Sequence, residues 1–107
     1  MAYRMLIVAR MNGADRDTVA HLFAESDATD LPVSLGAQRR TLFHYRSLYL
    51  HLVEADTDFT EGLSEARHSP LFVDLNAKLS RYIAPYDPQW TEPRDAMAEP
   101  FYTWSRP

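Results

Sequence analysis

"TLFHYRSLYLHLVEA", residues 41–55, sets two runs of leucine, aromatic and β-branched residues on either side of Arg46-Ser47. The pattern predicts two antiparallel strands, 38–46 and 48–55, joined by a very short turn. With the turn at Arg46-Ser47, Tyr45 faces Leu48, Phe43 faces Leu50 and Thr41 faces Leu52 on one side. The other side then carries Arg40, Leu42, His44, Tyr49, His51 and Val53, with Arg40 diagonal to His51. A slip of one residue would scatter this group onto the opposite face. An ionisable imidazole on so apolar a strand asks for a physical reason.

Upstream, "YRMLIVARM" (3–11) is a near-continuous apolar run containing Ile7 and Val8, which suits a strand buried on both faces. "NGAD" breaks it, and Asp15 is placed to cap a helix. Val19, Leu22, Phe23 and Ser26 recur at helical spacing, and this helix is expected to end near Thr29. "DLPVSLGA" (30–37) holds Pro32 and Gly36 and cannot continue it.

Downstream, Asp58 and Glu61 resemble a capping box, followed by a short stripe of Phe59, Leu63 and Ala66. Ser69 then caps, and Pro70 suits the first position of another helix. Leu71, Phe72, Leu75, Leu79, Tyr82 and Ile83 form a long stripe ending at Pro85. Residues 85–97 carry three prolines and read as a surface loop. "AEPFYTWSR" (98–106) reads as a last strand, placed at an edge by Pro100. The element order is β-α-β-β-α-β, the ferredoxin-like arrangement of an α+β fold with an antiparallel sheet and helices on one face. One domain, 1–107, accounts for the chain. The apolar sheet face without helices needs a cover, and a second subunit in a C₂ homodimer is the expected one.

Composition removes several classes. Net charge −4, with no Lys/Arg run, argues against a nucleic-acid partner, and no apolar run approaches a membrane span. The apolar N-terminus is bracketed by Arg4 and Arg10 and is followed by no cleavage site, so it reads as a strand and not a signal peptide. With no cysteines there is no disulfide, thiolate metal site or cysteine nucleophile, and a cytoplasmic location is the default. The four histidines show no metal-ligand spacing. No phosphate-binding glycine loop or GxSxG element occurs. Phe101, Tyr102 and Trp104 alternate as core and interface aromatics do, and Trp90 in the proline loop is placed to lid a pocket.

Two readings of the polar residues stand side by side. In one, Arg40 and His44 are solvated at the sheet's ends, His51 is a satisfied core histidine, and Ser26 and Asp27 merely terminate a helix. In the other, Ser26 and Asp27 enter the space between helix and sheet and line a cavity that His51 also faces. A carboxylate, an imidazole and a guanidinium around an apolar pocket equip a site for carbonyl chemistry, the arginine holding a developing enolate and His or Asp moving protons.

"MAYR", "LGAQRRTLF" (35–43), "LYLHLVEAD" (48–56), "ARHSPLF" (66–72) and "FYTW" (101–104) together resemble the tetracenomycin F2 cyclase type of aromatic polyketide cyclases, from Met1 to about Trp104. The resemblance implies a cofactor-independent enzyme of bacterial aromatic polyketide biosynthesis, a dimeric α+β barrel-like assembly and a polyketide intermediate as substrate. It implies a late intramolecular aldol-type closure with loss of water, and leaves room for transient contact with polyketide synthase components. The family's polar site residues match Asp27, Arg40 and His51; Ser26 stands where the family's pocket has a histidine. On this reading Arg40 binds a substrate carbonyl, His51 moves a proton, and Asp27 orients His51 or carries the other proton. Ser26 donates to the substrate, and Leu42 and Tyr49 supply apolar walls. Two rivals remain: a cofactor-free antibiotic-biosynthesis monooxygenase of the same fold, and a non-catalytic subunit that steers polyketide folding.

Overall fold

The computed structural model describes residues 3–91 and 93–107. Strand β1 (Tyr3–Met11) leads through a 3-10 turn into helix α1 (Arg16–Asp27) and the short helix α2 (Leu31–Leu35). Strands β2 (Arg39–Tyr45) and β3 (Leu48–Ala55) form the hairpin, followed by helices α3 (Thr60–Ala66) and α4 (Pro70–Leu79) and strand β4 (Ile83–Pro85). The sheet order is β2-β3-β1-β4, every neighbouring pair antiparallel.

The hairpin has the expected register: Tyr45 pairs with Leu48, Phe43 with Leu50, Thr41 with Leu52, Leu42 with His51 and His44 with Tyr49. Its two-residue turn places Arg46 at φ 56°, the left-handed region that a tight hairpin requires. The Met11 amide, donating to the Ser47 carbonyl at 3.0 Å, ties the turn to the end of β1.

Alternation along β3 separates the two faces. Tyr49, His51, Val53 and Ala55 are buried, while Leu48, Leu50, Leu52 and Glu54 are half-exposed. Helix α1 covers the buried face with Val19 and Phe23, which join Ala9, Met11 and Tyr49 in the core; Leu42, Leu75, Leu79 and Tyr82 pack around them. Burying each large apolar side chain contributes about 1.5–3 kcal/mol. On the other face Phe43 is 51% and Tyr45 60% exposed.

Several expectations are corrected. The fourth strand is Ile83–Pro85, not 98–106. Tyr82 and Ile83 continue the apolar period of α4, but the helix ends at Leu79, where the Ser80 hydroxyl turns back onto the Ala77 carbonyl at 2.7 Å. Ile83 instead pairs with Met11. The tail has only a toehold on β1: an isolated bridge from Met97 to Ile7, and the Ala98 amide on the Leu6 carbonyl at 2.8 Å. Pro100 has no N–H to extend that ladder. Phe101, Tyr102 and Trp104 therefore stay outside this chain's core, Phe101 being 99% exposed.

The segment 30–37 does not continue α1, as expected, but forms a helix of its own: Pro32 sits in the first turn of α2, where a missing N–H costs nothing, and Gly36 at φ 79° ends it. Asp15 stands at the start of α1 without a side-chain cap bond. Asn12 instead accepts from the Ala14 amide at 2.9 Å and caps the preceding 3-10 turn. Ser69 caps α4 as expected, accepting from the Phe72 amide at 3.2 Å, with Pro70 behind it.

Candidate active site

Helix α1 presents Phe23 and Asp27 four residues apart, hence on one face. That face meets the sheet where β2 begins, so Asp27 emerges beside Arg40 and Phe23 lies beneath it. The Arg40 guanidinium stacks over the Phe23 ring, 4.6 Å from its centroid. Its Nε donates to the Asp27 carboxylate at 3.2 and 3.3 Å, and its Nη2 to Oδ1 at 3.0 Å. On the other flank Arg40 Nη1 lies 2.7 Å from His51 Nε2.

A guanidinium has only donors, so His51 Nε2 accepts and the imidazole is neutral, with its proton on Nδ1. Burial first, and the Arg40 charge second, push the His51 pKa down to about 3. Phe23 and Tyr49 meet the imidazole edge-on, with ring centroids 5.1 and 6.0 Å away. Burial pushes the Tyr49 phenol up, only partly offset by the nearby Arg40 charge. Exposure grades outward: His51 is 7% exposed, the Arg40 side chain 13%, the Asp27 side chain 38%.

A guanidinium carries five N–H groups. Three of Arg40's are engaged, by Nε and one each on Nη1 and Nη2, which leaves two without a partner among the described residues. The arrangement therefore holds a fixed cation that can still donate twice in a largely buried, aromatic-floored position. Such donors favour an oxygen on which negative charge develops.

The structure thus brings together Asp27, Arg40 and His51, with Leu42 paired across from His51 and Tyr49 two residues before it. Ser26 is not brought to them. One residue before Asp27, it points about 100° away around the helix. It lines a separate groove of about 150 Å³ between α1 and α4, with Leu22, Leu75 and Lys78. Arg40 is not solvated. His44 is half-buried at the far end of β2, its Nε2 3.3 Å from the Met11 carbonyl. Trp90 packs on Tyr86, at 5.8 Å, whose ring also carries the Arg10 guanidinium.

Sequence reasoning reached Phe23 only within the helix stripe that walls the pocket and missed its place beneath the Arg40 guanidinium. Its signal was the four-residue spacing to Asp27. Among the described residues no group of three or more His, Cys, Asp or Glu is placed to hold a metal ion. Nor is any described helix long and apolar enough to cross a membrane.

Residues 3–105 match a family model described as polyketide synthesis cyclase. The chain is 49% identical over 107 residues to tetracenomycin F2 cyclase of Streptomyces glaucescens, covering 100% of this chain and 98% of that one. The solved structure of a tetracenomycin F2 cyclase from that organism, a type-II polyketide cyclase, superposes with TM-score 0.92 at 48% identity, covering 99% of this chain and 100% of the other. An antibiotic biosynthesis monooxygenase structure superposes with TM-score 0.52 at 13% identity, over 76% of this chain and 86% of the other, a likeness of fold alone.

Proposed function

The chain belongs to the polyketide synthesis cyclase family, and from that premise we propose that it closes a ring of a polyketide intermediate by intramolecular aldol condensation with loss of water. The observation that carries this reading is the Arg40 guanidinium, locked by Asp27, His51 and Phe23 with two N–H groups left to donate.

In this reading a substrate carbonyl takes those donors. Loss of a methylene proton makes it enolate-like, and the charge settles on its oxygen, held by the Arg40 donors. The methylene carbon's electron pair forms the new C–C bond to a second carbonyl carbon, whose oxygen becomes an alkoxide. That oxygen gains protons and leaves as water, and loss of a second ring proton completes the aromatic ring. His51 is engaged in the resting site, because its Nε2 lone pair accepts from Arg40. The substrate oxygen takes the two remaining N–H groups, and the methylene proton passes to Nε2 as the Nη1 contact opens. Protonated His51 beside Arg40 is a strong acid, and it returns the proton to the alkoxide.

Asp27 holds the guanidinium plane and is the more accessible group for the remaining proton. Leu42 and Tyr49 wall the site. No step here requires a cofactor. Holding the reacting carbons together supplies much of the rate, because polyketide methylenes are already acidic. Ser26, in its own groove, has no role in this mechanism.

The uncovered sheet face fits a second copy of the chain: Leu48, Leu50, Leu52, Phe43 and Tyr45 form an apolar surface that a C₂ homodimer buries. The cytoplasm, with substrate handed over in transient contact with synthase components, is the setting this reading assigns.

Product analysis of a minimal aromatic polyketide synthase, with and without the protein, tests the proposal. The expected result is one further-cyclised aromatic product with no added oxygen, diminished by Arg40→Ala and His51→Ala. An oxygen gained would replace cyclisation with monooxygenation. A shifted product that survives both substitutions would leave only a chain-steering role.

A further inference from the structure

At the end of the sheet remote from Arg40, an open cleft of about 490 Å³ lies between the end of β1, the hairpin turn and the start of β4. Arg40 and Arg46 are six positions apart along an extended chain, about 20 Å. Arg10, Asn12, Arg46 and Ser47 give the cleft its polar lining, and Met11 and Tyr82 its apolar part. Among the described residues the only charged ones lining it are the two arginines, in a chain of net charge −4.

These groups present donors. Arg10 is held in place: its Nε donates to the Tyr86 carbonyl at 3.1 Å, its Nη1 to Ser47 Oγ at 3.4 Å, and its guanidinium lies 4.3 Å over the Tyr86 ring. Stapling the Tyr86 loop explains those contacts but leaves three of its five N–H groups without a partner among the described residues. Arg46 uses Nε on the Tyr45 hydroxyl at 3.0 Å and keeps four without a partner among the described residues. Asn12 Oδ1 accepts from the Ala14 amide, which aims its NH₂ group elsewhere as a donor. Ser47 Oγ already accepts from Arg10, so its hydroxyl proton is free to be donated.

We propose that this cleft binds a small organic oxyanion, a carboxylate or phosphate monoester, between Arg10 and Arg46, with Tyr82 against its apolar portion. Guanidinium pairs suit both anions because each presents two oxygens in the plane of the fork. The site is independent of the cyclisation reading, since it shares no residue with Asp27, Arg40 or His51.

Amide NMR of the full chain at low ionic strength, titrated with inorganic phosphate and separately with 2-naphthoate, tests this. The expected result is a saturable shift of the Gly13 and Ser47 amides and the Asn12 side-chain NH₂, weakened about tenfold or more by Arg46→Gln and by Arg10→Gln. Saturation by phosphate alone identifies a phosphate site, and saturation by naphthoate alone a carboxylate with an apolar body. Arg46 lies at the turn tip, so its variant keeps the test sound if Arg10→Gln loosens the Tyr86 loop. Unsaturable shifts, shifts unmoved by Arg46→Gln, or binding lost in Arg40→Gln would overturn the proposal.

Discussion

The β2–β3 hairpin and the stretch from residue 80 to the C-terminus hold similar proportions of aromatic residues, yet only the hairpin has a structure that follows from its pattern. In the hairpin, period-2 alternation and a two-residue turn act on the same residues, and each fixes the other. Beyond residue 80 the cues conflict. Tyr82 and Ile83 keep the helical period of α4 while lying outside it, and an alternating aromatic run meets a proline where a ladder would need an N–H. A pattern determines structure where a second, independent constraint agrees with it.

The largest expected effect breaks the hairpin's functional half. Arg40→Ala is expected to lower turnover about 10²–10⁴-fold, since it removes the donors proposed for the developing oxyanion. Steady-state kinetics on the isolated substrate checks this, and Asp27→Asn, at the more exposed end, is expected to cost less.

Next comes pH. The folded His51 pKa, about 3, lies below the unfolded histidine value of 6.5. Above pH 6.5 both states are neutral at this residue and it has no effect on stability. Below that the unfolded chain takes up a proton that the folded chain refuses. Stability is therefore lost as pH falls from about 6.5 toward about 3, with a slope of up to about 1.4 kcal/mol per pH unit. Urea unfolding at a series of pH values measures the slope, and His51→Gln should flatten it.

Smaller effects compare packing in the two regions. Val53→Ala, on the buried face of the hairpin, is expected to cost about 2 kcal/mol, and Ile83→Ala, half-buried on the short β4, about 1 kcal/mol. Equal losses in thermal unfolding would erase the distinction. Gly13→Ala belongs with the hairpin, because a Cβ there would lie 2.8 Å from His44 Cε1. A destabilisation of about 1–2 kcal/mol is expected as the imidazole is displaced from the Met11 carbonyl. The least is Ser69→Ala, about 1 kcal/mol or below, for loss of the α4 cap.

The site was legible to the extent that it rests on the hairpin. Arg40 diagonal to His51 follows from the register, and the 2.7 Å contact realises it. Asp27 was reached only as a polar residue on a broad helix face and through resemblance, because alternation within one strand pair says nothing about which helix residue lies overhead. For the same reason Ser26 was grouped with Asp27, although the turn of the helix sends the two to different neighbours. Phe23 was legible as core and illegible as the floor of Arg40, since an apolar stripe does not distinguish a leucine-like contact from a stacked cation. Short α2 escaped because it is built on Pro32 and the Gly36 cap more than on period, and β4 because three residues are too few to show one.

The central claim is that the hairpin register makes His51 a neutral acceptor for Arg40. The most direct test is the ¹⁵N chemical shift of both His51 ring nitrogens across a pH titration. The account predicts a single neutral tautomer, Nδ1 protonated and Nε2 bare, persisting from neutral pH to near pH 4. A proton on Nε2 at neutral pH, or an ordinary titration near pH 6.5, would contradict it.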